Sequence, residues 1–131
     1  MTGSPMDGTT EEWRRIARRD WKRIRVMLTD GDGEAAGFFL QQSLEKFLKA
    51  FLASRGQPLR KIHALQALLD LATAEHRGFE RFRPLCERVS GYYVLARYPD
   101  AGEAPEVAQV QQDLDEARNL ILALFPNEKL A

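Results

Sequence analysis

The chain has 131 residues, of which 44% are hydrophobic, and its 19 basic and 19 acidic residues give a formal net charge of zero. This length suits one domain with its own core, and the neutral charge argues against a uniformly basic protein that coats nucleic acid. The single cysteine, Cys86, excludes an internal disulfide and a multi-cysteine zinc site, so we expect a reducing, cytoplasmic environment. The first eight residues, MTGSPMDG, lack the features of a signal peptide, and no apolar run is long enough for a membrane span.

The charge is unevenly distributed along the chain. Seven acidic residues against two basic ones leave residues 100–131 at −5, so residues 1–99 carry +5. Such an asymmetry can leave one face of a folded domain basic although the total is neutral.

The first helix is predicted over about residues 10–29, because apolar side chains recur there at steps of three and four. Thr9 or Thr10 can cap its start. Gly31 and Gly33 are expected to end it, since glycine interrupts a helical pattern.

The same periodicity predicts a second helix over about residues 34–54 and a third over about 60–76. The second is unusually rich in Phe and Leu and is closed by the segment 55–58, which contains Gly and Pro. The third stops near Gly78.

Two more helices are predicted in the second half of the chain. Pro84 should open or kink the fourth helix, and we start its main part at this proline. The segment 97–102 is expected to be a loop, because Pro99 disfavours helical backbone before it. Pro105 suits the first turn of the last helix, which ends at residues 125–126.

No window of the sequence alternates with a period of two over the length of a strand, so we predict no sheet. Five helices joined by short loops predict an all-α fold: an antiparallel up-and-down helical bundle with four long helices and one short or kinked helix. We expect the bundle domain to span residues 10–126, with a flexible N-terminus over 1–9 and a C-terminal tail over 127–131.

Polar residues at helical spacing mark the second helix. Gln42, Lys46 and Lys49 share one stripe, and Gln41 and Glu45 form a second stripe beside it. The spacing alone favours a solvated flank with an ordinary Glu45 to Lys49 pair. A ligand contact through the lysines is the alternative.

Asp20 lies on the apolar face of the first helix, where an ionised carboxylate must find a donor or stay near water. We predict Lys46 or Lys49 as its partner. A structural ion pair is favoured over a functional role, and Glu45 and Asp100 are assigned with Asp20 to a structural polar cluster.

His63 follows Lys61 at the predicted start of the third helix. It could act as a general acid or base or contact a phosphate, but a hydrogen bond to a neighbouring helix is the commoner role. His76, near a helix C-terminus, is predicted to make a favourable contact with the helix dipole. With two histidines thirteen positions apart and no acid or cysteine pattern around them, we predict no metal site and no cofactor.

The segment 92–100 contains three tyrosines and one arginine. Such groups can stack on a base and hold a phosphate, or the tyrosines can belong to the core. The two interpretations are equally weighted for Arg97 and Tyr98, and the core is favoured for Tyr93. Cys86 lies on an apolar stripe, so we predict a buried thiol rather than a nucleophile.

Three sequence blocks in this order and spacing resemble HEPN (higher eukaryotes and prokaryotes nucleotide-binding) domains. They are residues 38–50 (FFLQQSLEKFLKA), 61–65 (KIHAL) and 97–100 (RYPD), and Trp13, Ala17 and Asp20 of the first helix also fit. The resemblance covers about residues 10–125. It implies an all-helical bundle, frequent homodimerisation and roles in nucleotide or RNA transactions. Several HEPN proteins work beside a small nucleotidyltransferase in toxin–antitoxin pairs, and others are ribonucleases.

One family motif is missing. Ribonuclease members carry an arginine and a histidine separated by four to six residues, whereas here neither His63 nor His76 follows an arginine at that interval. Arg55 precedes His63 by eight positions and Arg60 by three. Ala64 also stands where many relatives have Asp or Asn beside the histidine. The resemblance therefore supports the fold and a binding role, and argues against metal-independent RNA cleavage.

The leading hypothesis is a non-catalytic, homodimeric HEPN module that binds a nucleotide, an RNA end or a partner protein. Its candidate ligand-binding residues are Lys46, Lys49, Lys61, His63, Arg97 and Tyr98. The alternative is a ribonuclease or nucleotide-processing enzyme with a non-standard site built from the same basic residues. A third hypothesis is a partner subunit for a nucleotidyltransferase.

We predict a homodimer, because the second helix spreads Phe38, Phe39, Phe47 and Phe51 over more than one face and one small bundle cannot hide them all. Light scattering at micromolar concentration should return twice the chain mass of 14.9 kDa. A particle of the monomer mass would contradict this prediction.

Overall fold

A computed structural model describes residues 8–57 and 61–130, and these contain five α-helices, two 3₁₀ helices and no strand. The α-helices are α1 (Gly8–Thr29), α2 (Gly33–Ser54), α3 (Leu65–Glu75), α4 (Arg83–Arg97) and α5 (Val107–Leu124), and the 3₁₀ helices are Arg77–Phe82 and Pro99–Ala101. The all-α fold is confirmed, and α3 is its short helix. Within the described ranges, no helix is long and apolar enough to cross a bilayer. Of the predicted flexible N-terminus, residues 1–7 lie outside the described residues.

α2 is the central element of the bundle, in contact with α1, α3, α4 and α5, and its contact with α1 is the most extensive. Leu40, Leu44, Phe47 and Leu48 of α2 are fully buried. A helix that is apolar on most of its circumference is stable only when other elements surround it. This position explains why the Phe and Leu content is concentrated in α2.

A tight turn joins α1 to α2. Gly31 adopts a φ of +77°, which glycine reaches without steric cost, and the Asp32 side chain caps α2 by accepting from the backbone N–H of Ala35 at 2.9 Å. A Cβ on Gly33 would lie 2.2 Å from the backbone oxygen of Pro105, so the loop before α5 packs directly on this turn. The predicted place of Pro105 in the first turn of α5 was wrong, because the backbone is extended at Glu106 and the helix begins at Val107.

The start of α1 also differs from the prediction. The helix begins at Gly8, which places Thr9 and Thr10 inside its first turn instead of at its cap. The hydroxyl-bearing residue Thr10 is buried there.

The start of α3 is the largest difference in the helix boundaries. The helix begins at Leu65, because the backbone is extended at Ala64. The preceding residues lie along α2, where the Gln41 side-chain amide donates to the carbonyl oxygen of His63 at 3.5 Å. Lys61 and His63 therefore precede α3 and do not belong to its first turn.

α4 begins at Arg83 with Pro84 in its first turn, as predicted. Cys86, two residues after this proline, is fully buried. Burial raises the pKa of the Cys86 thiol to about 12. The expectation of a buried thiol is confirmed, and the raised pKa disfavours the thiolate, which is the nucleophilic form.

A buried polar contact joins α4 to α5. The Tyr92 hydroxyl donates to the carboxylate of Asp113 at 2.5 Å, and Arg88 Nε donates to the same carboxylate at 3.1 Å. Burial raises the pKa of Tyr92, and the hydrogen bond to Asp113 raises it further. Asp113 has no exposed surface, so its partners supply the hydrogen bonds that water would otherwise provide.

The segment predicted as a C-terminal tail contains a buried residue, Glu128. Its carboxylate accepts from Arg14 Nε at 2.8 Å and from Arg18 Nε at 2.6 Å, both on α1. The Arg14 guanidinium also lies 4.4 Å from the ring centre of Phe125. These contacts attach residues 125–128 to α1.

Replacement of either of two helical glycines by alanine should change the free energy of unfolding, in opposite directions. A Cβ on Gly37 would lie 2.9 Å from Cγ of the buried Tyr92 ring, so Gly37→Ala should lower the free energy of unfolding by about 1–2 kcal/mol. A Cβ on the exposed Gly91 would meet nothing within 4 Å, so Gly91→Ala should raise it by about 0.5–1 kcal/mol. Urea denaturation of both variants measures the difference. Equal shifts would show that Tyr92 does not pack against Gly37.

Candidate functional site

A groove of about 740 Å³ lies on the surface of the bundle, with a volume in the range typical of small-molecule sites. It lies between α1, α2, the segment before α3, the start of α3, and α4. Its lining combines three aromatic rings, several amides and several cations: Trp13, Phe38, Gln41, Gln42, Glu45, Lys46, Lys49, His63, Ala64, Gln66, Ser90, Tyr93 and Arg97.

A continuous chain of hydrogen bonds runs along the groove side of α2. Lys46 Nζ lies 2.5 Å from Asp20 Oδ2 and 3.2 Å from Gln42 Oε1. Gln42 Nε2 donates to Gln41 Oε1 at 2.7 Å, and Gln41 Nε2 donates to Glu45 Oε1 at 3.3 Å. The chain links α1 to α2 and fixes these side chains relative to one another.

Glu45 ends this chain and connects it to the segment before α3. Its Oε2 accepts from Lys49 Nζ at 3.0 Å and lies 3.0 Å from His63 Nδ1. Because an ionised carboxylate can only accept, Nδ1 carries a proton, and in the neutral ring Nε2 is left as an acceptor. The hydrogen bond expected between His63 and a neighbouring helix is confirmed.

The interpretation of the polar stripes as a solvated flank was wrong. Gln41, Glu45 and Lys49 are buried, and Gln42 and Lys46 are half-buried. The flank is covered because α1 and the segment before α3 pack along the two sides of α2, which periodicity within one helix does not report.

The partner predicted for Asp20 is confirmed as Lys46. Asp20 is almost completely buried, and Arg23 makes a second, longer contact with it at 3.3 Å. Lys49, the other candidate, pairs with Glu45 and lies 5.3 Å from the ring centre of Trp13.

Two aromatic rings and one guanidinium lie close together in the groove lining. Phe38 and Tyr93 are stacked with ring centres 5.9 Å apart, and the Arg97 guanidinium lies 5.1 Å from the centre of the Tyr93 ring. The prediction that Tyr93 belongs to the core was wrong: its ring is half-buried and lines the groove. The neighbouring Tyr92 is the core residue.

The cations of the groove differ in how far they are neutralised. Lys46 and Lys49 each pair with a carboxylate, whereas no carboxylate among the described residues lies within ion-pair distance of Arg97. With His63 neutral, the lining carries three positive charges and the negative charge of Glu45. Arg97 is therefore the cation of this groove that is most available to an anion.

The structure brings Lys46, Lys49, His63 and Arg97 together but leaves other candidates outside the groove. Lys61 and Tyr98 are exposed and do not contribute to its lining. Asp100 is exposed in the 3₁₀ turn after α4, and within the described residues no hydrogen bond or ion pair joins it to Asp20 or Glu45. The polar cluster thus contains Asp20 and Glu45 without Asp100.

No group of three or more His, Cys, Asp or Glu side chains that could hold a metal ion is found in the part of the chain that the structure describes. His76 lies at the C-cap of α3, with its ring centre 5.2 Å from that of Phe79. Its position at a helix C-terminus is the one expected from the sequence.

Several lining residues were not predicted as part of a site. Ser90 Oγ donates to Gln66 Oε1 at 2.7 Å, and this contact joins α4 to α3 at the groove wall. Trp13 and Phe38 were identified as apolar positions that fit the HEPN resemblance, but not as ligand contacts. No local pattern assigns these four residues to one site, because they meet only when four elements pack together.

Comparisons with known proteins agree with this architecture. The family model of the HEPN domain matches residues 10–124. The crystal structure of TT1696 from Thermus thermophilus is similar to the chain with a TM-score of 0.75 and 26% sequence identity, over 88% of this chain and 94% of that one. No curated protein matches the chain. The chain belongs to the HEPN domain family.

Removal of one member of the Asp20–Lys46 pair should cost more stability when the carboxylate is the residue left behind. Lys46→Met leaves buried Asp20 with only its longer contact to Arg23, and should lower the free energy of unfolding by about 1–3 kcal/mol. Asp20→Leu should cost less, because an apolar side chain suits the buried position and Lys46 reaches solvent. Thermal and urea unfolding of both variants and the double variant measure the order. A larger loss for Asp20→Leu would contradict the assignment.

Proposed function

We propose that this HEPN domain is a non-catalytic module whose groove binds a nucleotide or the end of an RNA strand. One observation carries the proposal: cations from α2 and α4 share a single groove with three aromatic rings. A nucleotide combines an anionic phosphate with an aromatic base, and both features have matching groups here.

Arg97 and Lys46 are the proposed phosphate contacts. Arg97 is an exposed residue with no carboxylate among the described residues within ion-pair distance, and Lys46 retains partial exposure beside its pair with Asp20. Lys49 is proposed to support the site indirectly, because its ammonium is buried between Glu45 and Trp13.

Amide groups provide further contacts for a polar ligand. The Gln66 oxygen accepts from Ser90, so its amide N–H₂ group can donate to a ligand. His63 Nε2 can accept in the neutral ring. These groups lie on the same groove as the cations.

A second candidate function is a nucleotide-processing enzyme or ribonuclease with a non-standard site. The Glu45–His63 contact favours it, because a carboxylate that orients a histidine is also a feature of general-base catalysis. The absence of the family's arginine–histidine spacing argues against metal-independent RNA cleavage, so binding remains the leading proposal. Loss of a measured hydrolytic activity in His63→Asn would favour the enzyme.

The proposed module acts as a homodimer in the cytoplasm and is a candidate partner of a small nucleotidyltransferase in a toxin–antitoxin-like pair. Membership of the HEPN family supports this assembly. Val94 and Tyr98, one turn apart at the end of α4, add exposed apolar surface beside Arg97. The single buried thiol is compatible with a reducing compartment.

Titration with AMP, ATP and a short single-stranded RNA tests the binding function. Arg97→Ala should weaken binding about tenfold or more, because it removes a charge-assisted contact. Raising the salt concentration should weaken binding to the wild type more than to this variant. Arg77→Ala, an exposed arginine outside the groove, is the matched control and should bind like the wild type. No binding of any ligand would leave a partner protein as the better function.

A further inference from the structure

Arg97 stands between two cavities. Beyond the groove, a second cavity of about 390 Å³ is lined by Asp32, Glu34, Ala35, Phe38, Phe39, Ala96 and Arg97. The two cavities share Phe38 and Arg97 and differ in charge, since the second cavity contributes two carboxylates and one cation. A ligand longer than one cavity would pass over the Arg97 side chain.

Arg97 is an exposed residue whose guanidinium lies near an aromatic pair. Its central carbon is 5.1 Å from the centre of the Tyr93 ring, and Tyr93 is stacked with Phe38 at a centre-to-centre distance of 5.9 Å and an interplanar angle of 23°. The half-buried Phe39 ring meets Phe38 edge-on at 5.5 Å.

We infer that Arg97 recognises the base of the ligand by stacking, so that the base lies against the guanidinium plane beside the stacked Tyr93 and Phe38 rings. This inference rests on the proposed function. Guanidinium planes are established stacking surfaces for nucleic-acid bases, and the Arg97 guanidinium already lies near one aromatic ring, that of Tyr93.

The charges of the two cavities orient the ligand. A phosphate is repelled by Asp32 and Glu34 in the second cavity, whereas the groove offers Lys46. The phosphate therefore lies in the groove, and the uncharged base extends over Arg97 towards the second cavity. Asp32 is itself held in place as the cap of α2.

Recognition by stacking has a specific consequence: the base contributes to affinity with little dependence on its identity, because every base has a π-face. A sugar phosphate without a base should bind about tenfold more weakly than the nucleotide. The arginine plane, and not only its charge, should account for that difference.

The test compares AMP with ribose 5-phosphate by calorimetry on the full chain. The wild type should prefer AMP about tenfold. Arg97→Lys keeps the charge and removes the guanidinium plane. It should therefore retain affinity for ribose 5-phosphate and reduce the ratio of the AMP affinity to the ribose 5-phosphate affinity to about one. Arg97→Gln keeps a smaller plane without the charge, so it should weaken both ligands and keep part of the preference. Since Arg97 is exposed, both variants should unfold at the wild-type temperature.

The outcomes separate the two proposals. Equal affinity of the wild type for both ligands would overturn stacking by Arg97 and leave the groove function intact. A preference for AMP that survives in Arg97→Lys would also overturn it, because the base would then lie elsewhere. If the wild type binds neither ligand, the proposed function fails and the inference fails with it.

Discussion

The structure depends on the burial of α2 on nearly all sides. A helix in contact with four others must satisfy its buried polar side chains within the protein, because little water reaches them. α2 meets this constraint through Glu45, which binds Lys49 and His63, and through Lys46, which neutralises Asp20 of α1. These contacts attach α1 and the segment before α3 to the central helix.

The same constraint shapes the groove. Since Lys46 and Lys49 are already paired with carboxylates, the groove has a firmly held polar wall with little free charge. The lining also contains the stacked rings of Phe38 and Tyr93 and the Arg97 guanidinium near Tyr93. The groove therefore contains two paired cations, which join elements of the fold, and the exposed Arg97, which has no carboxylate partner among the described residues.

His63 lacks the arginine spacing found in ribonuclease members of the HEPN family, to which this chain belongs, and the structure gives this histidine a structural contact. Its Nδ1 faces a buried carboxylate that also holds Lys49, so the ring contributes to the attachment of the segment before α3. This histidine has a structural contact whether or not the domain has a ligand. Any proposal of catalysis must therefore account for both roles of Glu45.

The sequence alone indicated the helices through their periodicity and the family through the resemblance of three sequence blocks. It also marked Asp20 as a carboxylate on an apolar helix face and restricted its predicted partner to Lys46 or Lys49, because these are local signals. The same signal was present at Asp113, which lies on the apolar stripe of α5 and was missed. Only the tertiary structure decided that the Lys46 flank is covered, that Tyr93 lines the groove while Tyr92 is buried, and that Asp100 lies apart. These facts depend on which faces of different helices meet, and the spacing of residues along one helix does not contain that information.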